Sequence, residues 1–88
     1  MILARVIGTV WATRKDEKMN GLKLQIVRPV DLKYKDKEGF FVAVDAVGAG
    51  VGEIVLIVQG SSARQTKLTE NKPVDATIMA IVDKLDAS

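Results

Sequence analysis

The strongest constraint on this chain is a segment that is apolar on both faces, residues 54–58 (IVLIV), in a protein of only 88 residues. The segment is short and β-branched residues predominate in it, so it predicts a strand and not a helix. A strand of this kind normally belongs to a sheet that is covered on both sides. A chain of this length buries only about 60–65% of its unfolded surface and has too few residues for a full second layer. We therefore expect a partner subunit to cover the surplus face.

The two faces of this strand receive different assignments. One face is an uninterrupted apolar row, Ile54, Leu56 and Val58. We assign it to the interior of the subunit, which is predicted below to be a barrel. The other face starts at Glu53 and ends at Gln59, both polar. We predict that its apolar side chains, Val55 and Ile57, are covered by a neighbouring chain.

The strand lies within a longer apolar stretch, residues 40–64. Residues 40–47 alternate between two faces, which predicts another strand. The glycines at 48, 50 and 52 suit a connection with positive φ or close backbone approach. The stretch therefore predicts a β-hairpin or a tight β–β corner.

Two more strands are predicted before this stretch. Residues 2–12 alternate, with a small-residue core face in which Gly8 permits a bend or bulge; that face comprises Ile2, Ala4, Val6, Gly8, Val10 and Ala12. In residues 22–30, the positions assigned to the interior are Leu22, Leu24 and Ile26. Lys23 and Gln25 are predicted to face outward, and Pro29 places the end of this strand at an edge or a bulge.

After the apolar stretch, Ser62 and Gln65 have capping-box spacing, which predicts a short helix. Residues 78–82 fit both a helical stripe and a buried strand. We interpret them as a strand because the segment is short and a fifth strand could close a barrel. The prediction is an all-β, mainly, single domain over residues 1–88: a small, partly open, five-stranded OB-like barrel with a short helix after its fourth strand.

Composition excludes much chemistry. The chain has no Cys and no His, which rules out a thiolate nucleophile, a Cys/His zinc site and an imidazole base. We expect no enzymatic activity, no cofactor and no metal. The start lacks the basic region of a secretory signal, and no apolar run approaches the roughly 18 residues of a membrane span. We expect a cytoplasmic protein without membrane contact.

Four features invite other functional interpretations. The G-x-G-x-G spacing at 48–52 departs from the dinucleotide pattern and precedes a strand, so a structural turn is favoured. Ser61 and Ser62 lack a histidine base, which favours a helix cap beside Arg64 in a salt bridge or subunit contact. Asp45, in an apolar strand, either faces solvent or needs a partner such as Arg64 or Arg5. The alternative function is a single-strand nucleic-acid-binding OB module, with stacking residues Trp11, Tyr34, Phe40 and Phe41.

Several blocks in order resemble one family. They are the opening M-x-L-A-x-V-x-G-x-V-x-A-T, residues 21–24 leading to Pro29-Val30-Asp31, the core 42–53, Gly60-Ser61-Ser62-Ala63-Arg64, and the closing 73–76 to 80–83. In these blocks the chain resembles the bacterial microcompartment vertex proteins of the EutN and CcmL type over nearly its whole length. Ala80 stands where these proteins often have glycine, and the 33–39 loop is of a variable kind.

The resemblance implies an OB-like barrel that forms a cyclic homopentamer, without catalysis and without nucleic acid. It also implies a place at the five-fold corners of a microcompartment shell, beside hexameric shell proteins. Residues predicted at the subunit interface or central pore are Gly48, Ala49, Gly50, Val55, Ile57, Ser61, Ser62 and Arg64.

Overall fold

Five segments that each contain β-branched residues form the strands of a closed barrel in the computed structural model, which describes residues 1–86. The strands are β1 (Ile2–Val10), β2 (Leu24–Pro29), β3 (Phe41–Asp45), β4 (Ile54–Gln59) and β5 (Ala76–Ile81). Their order around the barrel is β1-β2-β3-β5-β4. The predicted all-β barrel of five strands is confirmed, and it is fully closed.

The hairpin alternative for residues 40–64 is wrong, because β3 and β4 do not pair with each other. β5 lies between them, antiparallel to β4 and parallel to β3. The parallel contact is short and pairs Val44 with Thr77 and Asp45 with Ile78. The glycine-containing connection is therefore a β–β corner that carries the chain past the position of β5.

The bulge permitted at Gly8 is present. The register of β1 against β2 shifts between Val6 and Gly8, leaving Ile7 as the extra, exposed residue. Ala4 and Val6 lie in the core as predicted, but beyond the bulge Thr9 faces inward and its hydroxyl reaches Gln25. The single core face predicted for residues 2–12 is therefore wrong after Val6, since one extra residue exchanges the two faces.

The predicted orientation of β2 is wrong. Gln25 and Val27 are buried inside the barrel, while Leu24 and Ile26 are half-buried and face outward. Leu22 is buried, but it lies before the strand and packs in a second cluster outside the barrel. The interior accepts Gln25 because its amide is fully hydrogen-bonded, as described below.

The barrel core is built from small and β-branched side chains. Its buried members are Ala4, Val6, Val27, Ala43, Ala49, Val55, Ile57, Ala76 and Ile78. The second cluster covers the outward side of the barrel near the ends of β3 and β4, and consists of Leu22, Val44, Val58, Ala63 and Val74. Leu22, Ala63 and Val74 lie in the connections between strands, and they cover the apolar side chains that β3 and β4 present on the outside of the barrel.

The predicted faces of β4 are reversed. Val55 and Ile57 are completely buried in the barrel core, whereas Ile54 and Leu56 are half-buried on the outside. Val58 is buried too, but in the second cluster. With apolar residues on both faces, alternation within the strand cannot identify the inner one; the pairing of Ala4 with Val55 and of Ile2 with Ile57 does so.

The segment after β4 is a 3-10 helix, Gly60–Arg64. The capping box predicted for Ser62 and Gln65 is wrong, because Gln59 holds the N-cap position and no side chain caps this end. Ala63 is the buried residue of the turn, and its carbonyl accepts a hydrogen bond from the Thr77 hydroxyl at 2.7 Å. This bond attaches the turn to β5.

The reversal of β4 leads to a stability prediction. Ile57→Ala should lower the free energy of unfolding by about 2–5 kcal/mol, because it leaves a cavity in a core with few large side chains. The matched control is Leu68→Ala, at an exposed leucine in the loop before β5. Urea unfolding followed by circular dichroism at equal subunit concentration measures both. Equal losses for the two variants would place Ile57 at the surface.

Candidate functional site

The β3–β4 connection is shaped by hydrogen bonds from its own backbone. The Asp45 carboxylate accepts the N–H groups of Val47 at 3.0 Å and Gly48 at 2.9 Å. Gly48 and Gly52 have φ of 78° and 93°, which confirms the positive φ expected in this turn. The N–H of Gly50 donates to the Glu53 carboxylate at 2.6 Å. The loop therefore has a defined conformation before any partner binds.

A buried polar network joins this loop to the barrel. The Gln25 side-chain amide donates to the Ala49 carbonyl at 2.8 Å and, more weakly, to the Asp45 carboxylate at 3.4 Å. Its oxygen accepts a hydrogen bond from the Thr9 hydroxyl at 2.8 Å. Neither Arg5 nor Arg64 pairs with Asp45, so these two suggested partners are wrong. Buried polar groups are tolerated here because each finds a partner within the chain.

The predicted interface residues fall into two sets. Three are buried within their own subunit and cannot be covered by a neighbour: Ala49, Val55 and Ile57. Five are exposed: Gly48, Gly50, Ser61, Ser62 and Arg64. The exposed residues lie at the two ends of β4, which are about 17 Å apart at 3.3 Å per strand residue. The structure therefore does not bring them together in one surface.

Arg64 has a partner in its own chain. Its guanidinium donates to the Val74 carbonyl at 2.9 Å, which ties the 65–74 loop to the 3-10 helix. The adjacent Ser61 and Ser62 are exposed, and within residues 1–86 neither hydroxyl is hydrogen-bonded to another side chain. This end of β4 is therefore an exposed surface that is supported by an arginine bound to its own chain.

A surface that the sequence reasoning missed runs across three strands. Leu3 on β1, Leu56 on β4 and Ala80 on β5 are direct neighbours in the sheet, and all three are half-buried on the outside of the barrel. Ile54 and the more exposed Met79 flank this row. We call these five residues the apolar strip. The signal was present in the doubly apolar β4, but the face that its own subunit leaves half-buried is the opposite of the predicted one.

The apolar strip fits protein contact better than it fits chemistry. It contains no titratable side chain, and residues 1–86 include no group of three or more His, Cys, Asp or Glu side chains placed to hold a metal. Within the same residues no helix is long and apolar enough to cross a membrane. An apolar row of this kind on the outside of a barrel is typical of a protein–protein interface.

The four candidate stacking residues do not share one environment. Phe41 packs against the barrel core, and the backbone carbonyl of Tyr34 accepts a hydrogen bond from Arg5. Trp11 and Phe40 are exposed, one after the end of β1 and the other before the start of β3. Because β1 and β3 both run antiparallel to β2, the end of β1 and the start of β3 lie at opposite ends of the barrel, so Trp11 and Phe40 do not share a platform for stacking on successive bases.

Residues 1–83 match the family described as ethanolamine utilisation protein EutN/carboxysome. The chain is 40% identical over 88 residues to the carboxysome shell vertex protein CcmL of Synechocystis, covering 100% of this chain and 88% of that protein. It is 46% identical over 89 residues to the microcompartment shell vertex protein PduN of Salmonella typhimurium, covering 97% and 98%. The pentameric microcompartment shell protein GrpN of Rhodospirillum rubrum superposes with a TM-score of 0.91, at 42% identity and complete coverage of both chains.

The buried network gives a graded prediction. Asp45→Ala should lower the free energy of unfolding by about 1–3 kcal/mol, because it removes the acceptor of two part-buried backbone N–H groups of the loop and of one N–H of the buried Gln25 amide. Asp45→Asn keeps one carbonyl oxygen and should lose less. Glu53→Ala, which removes a carboxylate bound to one exposed N–H, is the matched control and should lose least. Urea unfolding measures all three, and an Asp45→Ala loss no larger than that of Glu53→Ala would contradict the role of the network.

Proposed function

The chain belongs to the EutN/CcmL family, and from that premise we propose that five copies form a ring that closes a vertex of a bacterial microcompartment shell. The observation that carries the proposal is the likeness to the pentameric shell protein GrpN over the full length of both chains. The role is structural and has no catalytic step. Because its relatives are named shell vertex proteins, we place the protein in the shell and propose that this shell lies in the cytoplasm.

The apolar strip supports a ring. The strands pair in a closed cycle and none offers a whole edge within residues 1–86, so we propose that copies associate through side chains on the outer surface of the barrel. The strip spans β1, β4 and β5 and is only half covered by its own subunit. Covering a Leu side chain contributes on the order of 1.5–3 kcal/mol, and in a ring the contribution recurs at every interface. We propose that the next subunit covers this strip.

The mechanism is geometric. In a ring each copy uses two different surfaces, one toward each neighbour, and the rotation between neighbours decides how many copies close it. A five-fold unit placed among six-fold tiles removes one sector from a flat lattice and forces curvature there. We propose hexameric shell proteins as the tiles that border the ring.

The first test is the mass of the assembly. Five chains of 9.5 kDa give a ring of about 47.5 kDa. Leu56→Asp should shift the native mass toward a single chain while strand circular dichroism persists, because the charge lies on the outside of the barrel. Leu68→Asp, at an exposed leucine outside the strip, should leave the ring intact.

The outcomes separate the two parts of the proposal. A wild-type protein without a five-chain mass contradicts the pentamer itself. A wild-type pentamer that survives Leu56→Asp contradicts only the assignment of the apolar strip to the interface. A folded Leu56→Asp monomer supports both.

The vertex role is tested by closure of the shell. Coexpression of hexameric shell proteins with the wild-type chain should give closed polyhedral particles under electron microscopy. Coexpression with the Leu56→Asp variant should give open or elongated assemblies, because the corners lack a five-fold unit. Closed particles of equal number with the variant would contradict the proposed role.

A further inference from the structure

A groove of about 830 Å³ lies where the start of β1 meets the end of β2. Its apolar floor includes Ile2, Leu3, Pro29 and Leu32. Its rim carries three exposed lysines at alternate positions, Lys33, Lys35 and Lys37. Across residues 1–86, none of these three ammonium groups takes part in a hydrogen bond or salt bridge with the chain. The groove is thus an apolar channel beside a row of unpaired positive charges.

The backbone of this rim is fixed by its own contacts. Arg5 donates to the Tyr34 carbonyl at 2.6 Å and to the Asp36 carboxylate at 3.2 Å. The Lys37 N–H donates to the Pro29 carbonyl at 2.8 Å, which folds the loop back against the end of β2. A rim held in this way loses little further conformational entropy when a partner binds.

The one acidic residue that lines the groove is already engaged. The Asp31 carboxylate accepts the backbone N–H groups of Lys35 at 3.0 Å and Lys33 at 2.7 Å. These hydrogen bonds, with help from the nearby lysine charges, hold the pKa of Asp31 below its usual value. Its oxygen is turned to the loop backbone, so the lysines remain available to an acidic partner from outside.

The chain itself carries a segment of the complementary chemistry. After β5, residues 82–86 (VDKLD) contain a half-buried Leu85 and two exposed carboxylates, Asp83 and Asp86, which outnumber the one exposed cation, Lys84. In extended backbone these two positions are up to about 10 Å apart, a spacing that flexible lysine side chains can follow. The groove lining includes no residue of this segment from its own copy. The segment starts beside Ile54, where the Val82 N–H donates to the Ile54 carbonyl at 2.8 Å.

We propose that the groove of one copy binds residues 83–86 of the adjacent copy, with Leu85 on the apolar floor and the two carboxylates at the lysine rim. The inference rests on the proposed ring. The receiving surface is continuous with the apolar strip, because Leu3 belongs to the strip and to the groove. Each copy then gives one segment and receives one, which is the head-to-tail arrangement that a ring requires.

The absence of cysteine makes a direct test possible. The Leu32→Cys/Leu85→Cys double variant is first confirmed as a pentamer by native mass spectrometry, then oxidised and run on a denaturing gel without reductant. We expect a ladder of covalent species that ends at five chains. The control, Leu68→Cys/Leu85→Cys, should stay at the mass of one chain. A native pentamer of the first variant that gives only single chains on the gel overturns the proposal and leaves the ring intact.

A charge exchange tests the electrostatic part. Lys33→Glu/Lys35→Glu/Lys37→Glu and Asp83→Lys/Asp86→Lys should each raise the subunit concentration for half dissociation at least about tenfold, since like charges then face each other. Combining all five substitutions should restore most of the loss. The control for the triple lysine variant is Lys15→Glu/Lys18→Glu/Lys67→Glu, which makes the same change in net charge at exposed lysines outside the groove. Its subunit concentration for half dissociation should stay within about twofold of wild type. A combined variant no tighter than the separate ones overturns the pairing.

Discussion

The structure depends on the short parallel contact between β3 and β5. It consists of two residue pairs, and without it the sheet would remain open between these strands. Asp45 takes part in the contact, and its carboxylate also orders the loop that turns the chain away at that point. The loop must leave β3, pass the place that β5 will occupy and enter β4. One aspartate therefore belongs both to the strand contact that closes the barrel and to the hydrogen bonds that shape the corner.

The interior explains the composition. A five-stranded barrel is narrow, and its axis is filled here by alanine, valine and isoleucine, with Phe41 only at the margin. A chain that is 48% hydrophobic but 5% aromatic suits that space. In so small a core one glutamine is a large fraction of the volume, and Gln25 is accepted because three groups of the chain meet its hydrogen-bonding capacity. The same network connects β1, β2 and the corner.

The sequence was enough to predict the class, the number of strands and the bulge at Gly8, because these follow from alternation and from residues with unusual backbone freedom. It was not enough to predict orientation. Val55 and Leu56 are equally suited to either face of β4, so only their partners across the sheet distinguish them. Gln25 looked like a surface residue, and its hydrogen-bonding groups come from segments 16 and 24 positions away. The pairing of β3 with β5 is likewise a property of the assembled barrel that no local pattern records.

Closure also decides how copies of this protein can add to one another. Sheets with open edges extend by backbone pairing, which is tolerant of sequence and has no built-in limit, the route by which fibres grow. The β1-β2-β3-β5-β4 cycle gives every strand of residues 1–86 a neighbour on both sides within its own chain, although β3 and β5 share only two residue pairs. None of these strands offers a whole edge to another copy, so growth by strand addition is disfavoured even where many copies are crowded together. Assembly through shaped side-chain surfaces is favoured instead, and the geometry of such surfaces sets a finite number of members.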